Sequence, residues 1–254
     1  MRQRTNSEYL HRHARYTTHM RTSLLLTAIL SLATPAIALA ADGPRTLSPS
    51  AADQALAKDA AAIAAQSKSG TPKPFAHATL LGWASANRLA FRVAICSEDP
   101  LGGRGPWCEM STCTVAPFDG TTKPEPTCSN DASTTLGEAA ISEATILATA
   151  RANQAALGGL TDGSLTKVNA KMAYKKGASI TTPNNAKPIV LFAPSEDDGG
   201  RAMGVFAARL TAQTTSPDGA CIGVIGIADH QSYYEGVGGI VPLPLGFVAC
   251  NGKR

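Results

Sequence analysis

Three groups of side chains in this chain are spaced so that they could do chemistry. Ser164 and Lys167 form an S-x-x-K pair. On a helix the two would lie one turn apart, where a lysine amine can draw the proton from a serine hydroxyl, as in serine acyl-enzymes. Asp229 and His230 stand together ahead of Gln231-Ser232-Tyr233-Tyr234-Glu235-Gly236. Asp, His and Ser are the parts of a hydrolytic triad, and the end of a strand is a common place to present them. Trp107, Tyr233 and Tyr234 lie in loop-like sequence and are candidate binding contacts, because aromatic side chains anchor interfaces.

Each group also has a plainer reading. The acyl-enzymes need K-T-G and S-x-N partners, and no such pair follows Ser164. Ser164 then reads as an ordinary helix cap. No G-x-S-x-G occurs, so a triad built on Asp229 and His230 has no serine that the sequence identifies. The acidic run Glu196-Asp197-Asp198 lacks the D-x-D-x-D-G spacing of a calcium loop. Gly236, Gly238 and Gly239 do not follow a strand into a helix as a dinucleotide fingerprint requires. No metal site and no cofactor is expected.

The first forty residues read as an address. Arg2, Arg4, Arg12, Arg15 and Arg21 precede an apolar run from Leu24 to Leu39, closed by Ala38-Leu39-Ala40. This is the order of a cleavable secretory signal, and the run is too short and interrupted for a membrane span. The whole chain holds 23 Lys+Arg against 19 Asp+Glu, but five of the arginines and Glu8 lie before Ala41. The chain from Ala41 onward is balanced, 18 against 18, so net charge gives no case for nucleic-acid or membrane-surface binding.

Six cysteines lie beyond the signal, an even number that fits an oxidising compartment. Cys96, Cys108, Cys113 and Cys128 cluster in a stretch rich in Gly, Pro and Thr, while Cys221 and Cys250 stand apart. The spacing predicts a Cys221–Cys250 bond and two bonds among the clustered four, with their pairing left open. No C-x-x-C pair occurs, which argues against zinc.

These groups need elements to hold them. Ser50 with Asp53 predicts a capped helix to about Gln66, with Leu56, Ala60 and Ile63 on one face. His77 to Trp83 and Arg88 to Cys96 predict a hairpin about Ala84-Ser85-Ala86-Asn87. In its second strand Leu89, Phe91, Val93 and Ile95 alternate with Arg88, Ala90, Arg92 and Ala94, the pattern of a half-buried strand. Residues 96–128 read as a stapled loop. Thr135 and Glu138 read as a capping box for a helix stopped by Gly158-Gly159, with Leu136, Ala140, Ile141, Ala144 and Leu147 inward. Ser164 begins a further helix to about Lys176, with Leu165, Val168 and Met172 sharing a face and Lys167, Lys171 and Lys175 a solvated one. Strands are expected at Pro188 to Ala193, Arg201 to Gln213, Ala220 to Ala228 and Ile240 to Cys250. Ser216-Pro217-Asp218-Gly219 turns between the middle two, and Pro242 and Pro244 push the last to a sheet edge.

Taken together, a signal peptide (1–40) and a flexible N-terminal segment (41–49) precede one α+β domain (50–254). The expected fold is one antiparallel sheet of five to six strands, with helices gathered on one face and disulfides as staples. The expected protein is periplasmic or secreted. Its expected role is a non-enzymatic binding or interaction domain, of inhibitor or immunity type or holding a small ligand. Its partner would then be another exported protein or a small molecule, not nucleic acid, and not a membrane once the signal is removed. An exported hydrolase using Asp229, His230 and an unidentified serine is the alternative.

Overall fold

The structure is a computed structural model that describes residues 49–69, 73–98, 106–121, 124–136, 139–175, 177–196, 202–234 and 237–251. The signal segment and residues 41–48 lie outside them. Three antiparallel sheets stack face to face, with two helices on the outer face of the first. The expected α+β architecture with disulfides is present, but the single sheet of five to six strands is not.

Sheet 1 is a meander of β1 (Phe75–Ala84), β2 (Arg88–Ser97), β3 (Trp107–Val115) and β4 (Thr127–Thr135). The hairpin turns where the sequence places it, with Ala86 at φ 58° and Asn87 at φ 55°. The alternation along β2 sorts its side chains as expected, but both faces are covered. Leu89, Phe91 and Val93 pack toward sheet 2, and Ala94 packs beneath the helices. Only Arg88 of this strand is exposed, so the half-buried strand is in fact fully buried.

The expected loop at 96–128 is largely sheet. Thr/Ser/Cys-rich text gives neither face a clear apolar period, which hides β3 and β4 from a pattern search. The disulfides instead fasten directly opposed residues of adjacent strands, Cys96 to Cys108 and Cys113 to Cys128.

Helix α1 (Pro49–Ser69) buries Leu56, Ala60 and Ile63 against sheet 1. It begins at Pro49, so Ser50 lies within its first turn rather than capping it. Helix α2 (Glu143–Ala156) starts later than the capping-box reading, because β4 uses Thr135 as strand. Its cap is Ser142, whose Oγ accepts from the Thr145 N–H at 3.1 Å. Its buried residues are therefore Ile146 and Ala150. Gly158, at φ +80°, lies just past its end.

Sheet 2 has the order β12-β11-β10-β5, from β5 (Ser164–Thr166), β10 (Ala202–Thr215), β11 (Cys221–Tyr234) and β12 (Val237–Cys250). The short β9 (Ser195–Glu196) also pairs with β10. The Ser216–Gly219 turn joins β10 to β11 as expected. Pro242 and Pro244 lie on the edge strand β12, where a missing N–H costs no ladder bond. Cys221 opposes Cys250 in the ladder and is bonded to it. Gly226 must be glycine, since a Cβ there would lie 2.2 Å from the Arg209 carbonyl oxygen of the neighbouring strand.

Sheet 3 comprises β6 (Lys171–Ala173), β7 (Ala178–Thr182) and β8 (Asn185–Phe192). The helix expected from Ser164 to Lys176 does not exist. Leu165 packs between sheets 1 and 2 while Met172 packs between sheets 2 and 3, so their helical spacing is a coincidence of two separate cores. The link between β5 and β6 is held by Gln213, whose Oε1 accepts from the N–H groups of Asn169 (3.1 Å) and Ala170 (3.2 Å).

Along β11, Ile225 and Ile227 face sheet 1, and Val224 and Ala228 face sheet 3. Sheet 2 is thus apolar on both sides, each fully buried Ile being worth roughly 1.5–3 kcal/mol. Three disulfides suggest an oxidising location outside the cytoplasm. No described helix is long and apolar enough to cross a membrane.

Candidate functional site

Three adjacent strands bring the sequence-predicted residues to one end of sheet 2. The ladder sets His230 between Val205 and Val241, Asp229 between Ala207 and Pro242, and Gln231 opposite Ile240. The register shifts between Val205 and Ala207, leaving Phe206 as an extra residue on β10. Such a bulge re-aims a side chain out of the regular pleat. Phe206 is 46% exposed and Ile240 51% exposed, two large apolar side chains left in water within this block.

Asp229 and His230 lie within a strand rather than in the loop that follows one. Since β11 pairs with β12 without a register shift through Tyr234, its side chains alternate strictly. Asp229 continues the row of Ile225 and Ile227, and His230 continues that of Val224 and Ala228. The two therefore point to opposite faces of the sheet, and Asp229 is not placed to orient the imidazole. Asp229 Oδ1 instead accepts from Arg209 Nη2 at 3.4 Å, a partly exposed ion pair. Burial pushes the His230 imidazole below the usual histidine range, so it is neutral at pH 7. Among the described residues, no hydrogen bond ties His230 to a serine. Tyr174, 37% exposed, approaches the same block, with its hydroxyl hydrogen-bonded by the Ala208 backbone and Asp229 nearby. Burial first, and that carboxylate less, raise its phenol above the ordinary value.

The other sequence candidates are dispersed. Ser164 is exposed on β5 and Lys167 lies beyond its end, without the helical turn that would bring amine to hydroxyl. Trp107 opens β3 in sheet 1, half-buried, opposite Ser97 and Thr135. Tyr233 and Tyr234 pair with Gly238 and Val237 at the end of β11, while their side chains lie outside the described residues, as do Asp197 and Asp198. Among the described residues no three His, Cys, Asp or Glu side chains form a metal-binding group. The His–Asp contact that does form lies elsewhere: His77 Nδ1 is 3.0 Å from Asp59 Oδ1, joining β1 to α1, with Phe75 stacked on the imidazole.

A buried charge pair escaped the sequence reading. Arg92, 2% exposed, reaches Asp131 Oδ2 at 3.3 Å and donates to Gln154 Oε1 at 3.0 Å and the Ala150 carbonyl at 3.4 Å. Asp131 also accepts from Thr112 Oγ1 (2.8 Å) and Asn153 Nδ2 (2.7 Å). The register shift between Met110 and Ser111 leaves Asp131 as the extra residue of β4. Burial pulls the Arg92 guanidinium below its ordinary value, and Asp131 opposes that shift. Together these contacts tie β2, β3 and β4 to one another and to α2, which is a structural role. The signal available in sequence was an arginine inside an apolar strand.

No protein-family model matches this chain, and no curated protein or solved structure matches it at a significant level.

Proposed function

We propose that the chain is exported by its N-terminal signal and works as a binding domain, engaging another exported protein through the end of sheet 2. The observation that carries this reading is the pair of exposed apolar side chains, Phe206 and Ile240, on strands flanking β11. Exposed apolar side chains supply the buried centre of an interface when a partner covers them. Arg209, Asp229 and Gln231 give that centre a polar rim. A scaffold of stacked sheets, with β11 paired along its length to both neighbours, holds such a surface rigid, which lowers the entropy cost of binding. The separation of Asp229 from His230 by the strand favours binding over hydrolysis.

The test is retention of partners from the exported fraction on immobilised protein. The Phe206→Ser/Ile240→Ser variant should keep its fold, by circular dichroism, and lose the protein that the wild type retains. His230→Gln should retain it. Identical retention by wild type and the double variant, or loss with His230→Gln alone, would overturn the reading.

A further inference from the structure

The lysines of the sheet 3 region lie in a stretch of sequence without acids. From Gly163 to Ser195 there are five lysines (167, 171, 175, 176 and 187) and not one Asp or Glu. The sequence after Ala40 is balanced overall, so the matching surplus of acid lies elsewhere. Lys167, Lys171, Lys175 and Lys187 are all exposed, and none forms an ion pair among the described residues.

The fold turns this run into a surface. Met172 and Ile180 face inward to sheet 2, so Lys171, Ala173, Ser179 and Thr181 face outward. The hydroxyls of Ser179 and Thr181 turn to the carbonyls of Ala173 and Lys171 (3.4 and 3.5 Å), leaving the Lys171 ammonium as the charge of this face, with Lys167, Lys175 and Lys187 exposed in the same stretch. Val190, 47% exposed, pairs with Ser179 and shares this outward face.

We infer that the lysine-rich region around sheet 3 docks the acidic surface of a protein partner. This rests on the reading of the molecule as a protein-binding domain and adds the chemistry of the partner. Four exposed ammonium groups in and beside sheet 3 attract carboxylates, and the exposed aliphatic Val190 on the same outward face as Lys171 matches a protein surface. Clustered charge of one sign speeds encounter by about 10- to 1000-fold at low salt, and screening by salt removes that advantage.

The probe is fluorescently labelled poly-L-glutamate, followed by anisotropy across a salt series, with duplex DNA and phosphatidylglycerol vesicles as parallel arms. Lys167→Glu/Lys171→Glu/Lys175→Glu/Lys187→Glu should weaken the peptide at least about tenfold and flatten its salt dependence. The matching Lys→Gln set, gentler on folding, should weaken it by less. A charge-matched set at the other end of the molecule, Lys58→Glu/Lys68→Glu/Lys73→Glu/Arg151→Glu, should leave it near wild type. Equal losses from the two glutamate sets would overturn the inference, as would tighter binding of DNA or vesicles than of peptide. The polymer has no apolar side chain, so its result is independent of Phe206 and Ile240.

Discussion

Arg92 and Asp131 show how one residue's position is decided by its neighbours rather than by its own preference. An arginine in an apolar strand is costly to bury, and it stays charged there because a bulge turns Asp131 toward it and α2 supplies Gln154 and a carbonyl. Removing the acid alone leaves the guanidinium buried without its countercharge. Asp131→Ala should therefore cost about 3–5 kcal/mol in urea denaturation, and Arg92→Met/Asp131→Leu should recover much of that. A loss under about 1 kcal/mol for the single variant would mean that the pair is solvated. His230 makes the opposite case at the same scale. Its imidazole is held neutral by burial, so its folded value lies below the unfolded value of about 6.5. The unfolded chain then binds the proton more readily, and the stability His230 contributes is present above that value and lost as pH falls through it. Stability measured from pH 7 to 5 should fall less steeply in His230→Gln than in wild type. Parallel curves would show that His230 titrates as it does unfolded.

At the scale of elements, the most legible parts were those with local chemistry. The β1–β2 hairpin, the Ser216–Gly219 turn and the edge position of Pro242 and Pro244 follow from glycine, proline and alternation. Elements whose pattern comes from tertiary packing were misread. Leu165 and Met172 mimic a helical face while serving different cores, and Thr127 to Thr135 has no apolar period to show that it is a strand. The candidate site was only half legible: Asp229 and His230 mark the right place, but nothing local shows that β11 runs through them to Tyr234 or that β10 bulges at Phe206. The Cys221–Cys250 bond joins the start of β11 to the end of β12, at the opposite end of the hairpin from Tyr233 and Val237. It closes a loop with a sequence separation of 29 residues, for which chain entropy gives on the order of 3 kcal/mol. Cys221→Ser/Cys250→Ser should lose about that much stability and keep the far end of the hairpin paired. Hydrogen exchange would show Ser232 to Tyr234 unprotected if the staple, rather than the ladder, held that end.

The described residues form a stack of three sheets, with helices over a buried charge network against sheet 1, exposed lysines in the acid-free stretch of sheet 3, and exposed apolar groups at one end of sheet 2. Its three staples all join strands already adjacent in a ladder, so they lock registers within sheets rather than tie sheets together. A rigid platform of this kind suits recognition by surface, which puts the weight of the proposed function on what touches Phe206. The most direct measurement places a photoreactive phenylalanine analogue at position 206 and, separately, at the exposed Lys68 on α1, with ultraviolet cross-linking in the exported fraction. A discrete protein adduct from position 206 and none from position 68 is the expected result. Identical adduct patterns from the two positions, or no adduct at 206 under conditions where the protein is folded and oxidised, would contradict it.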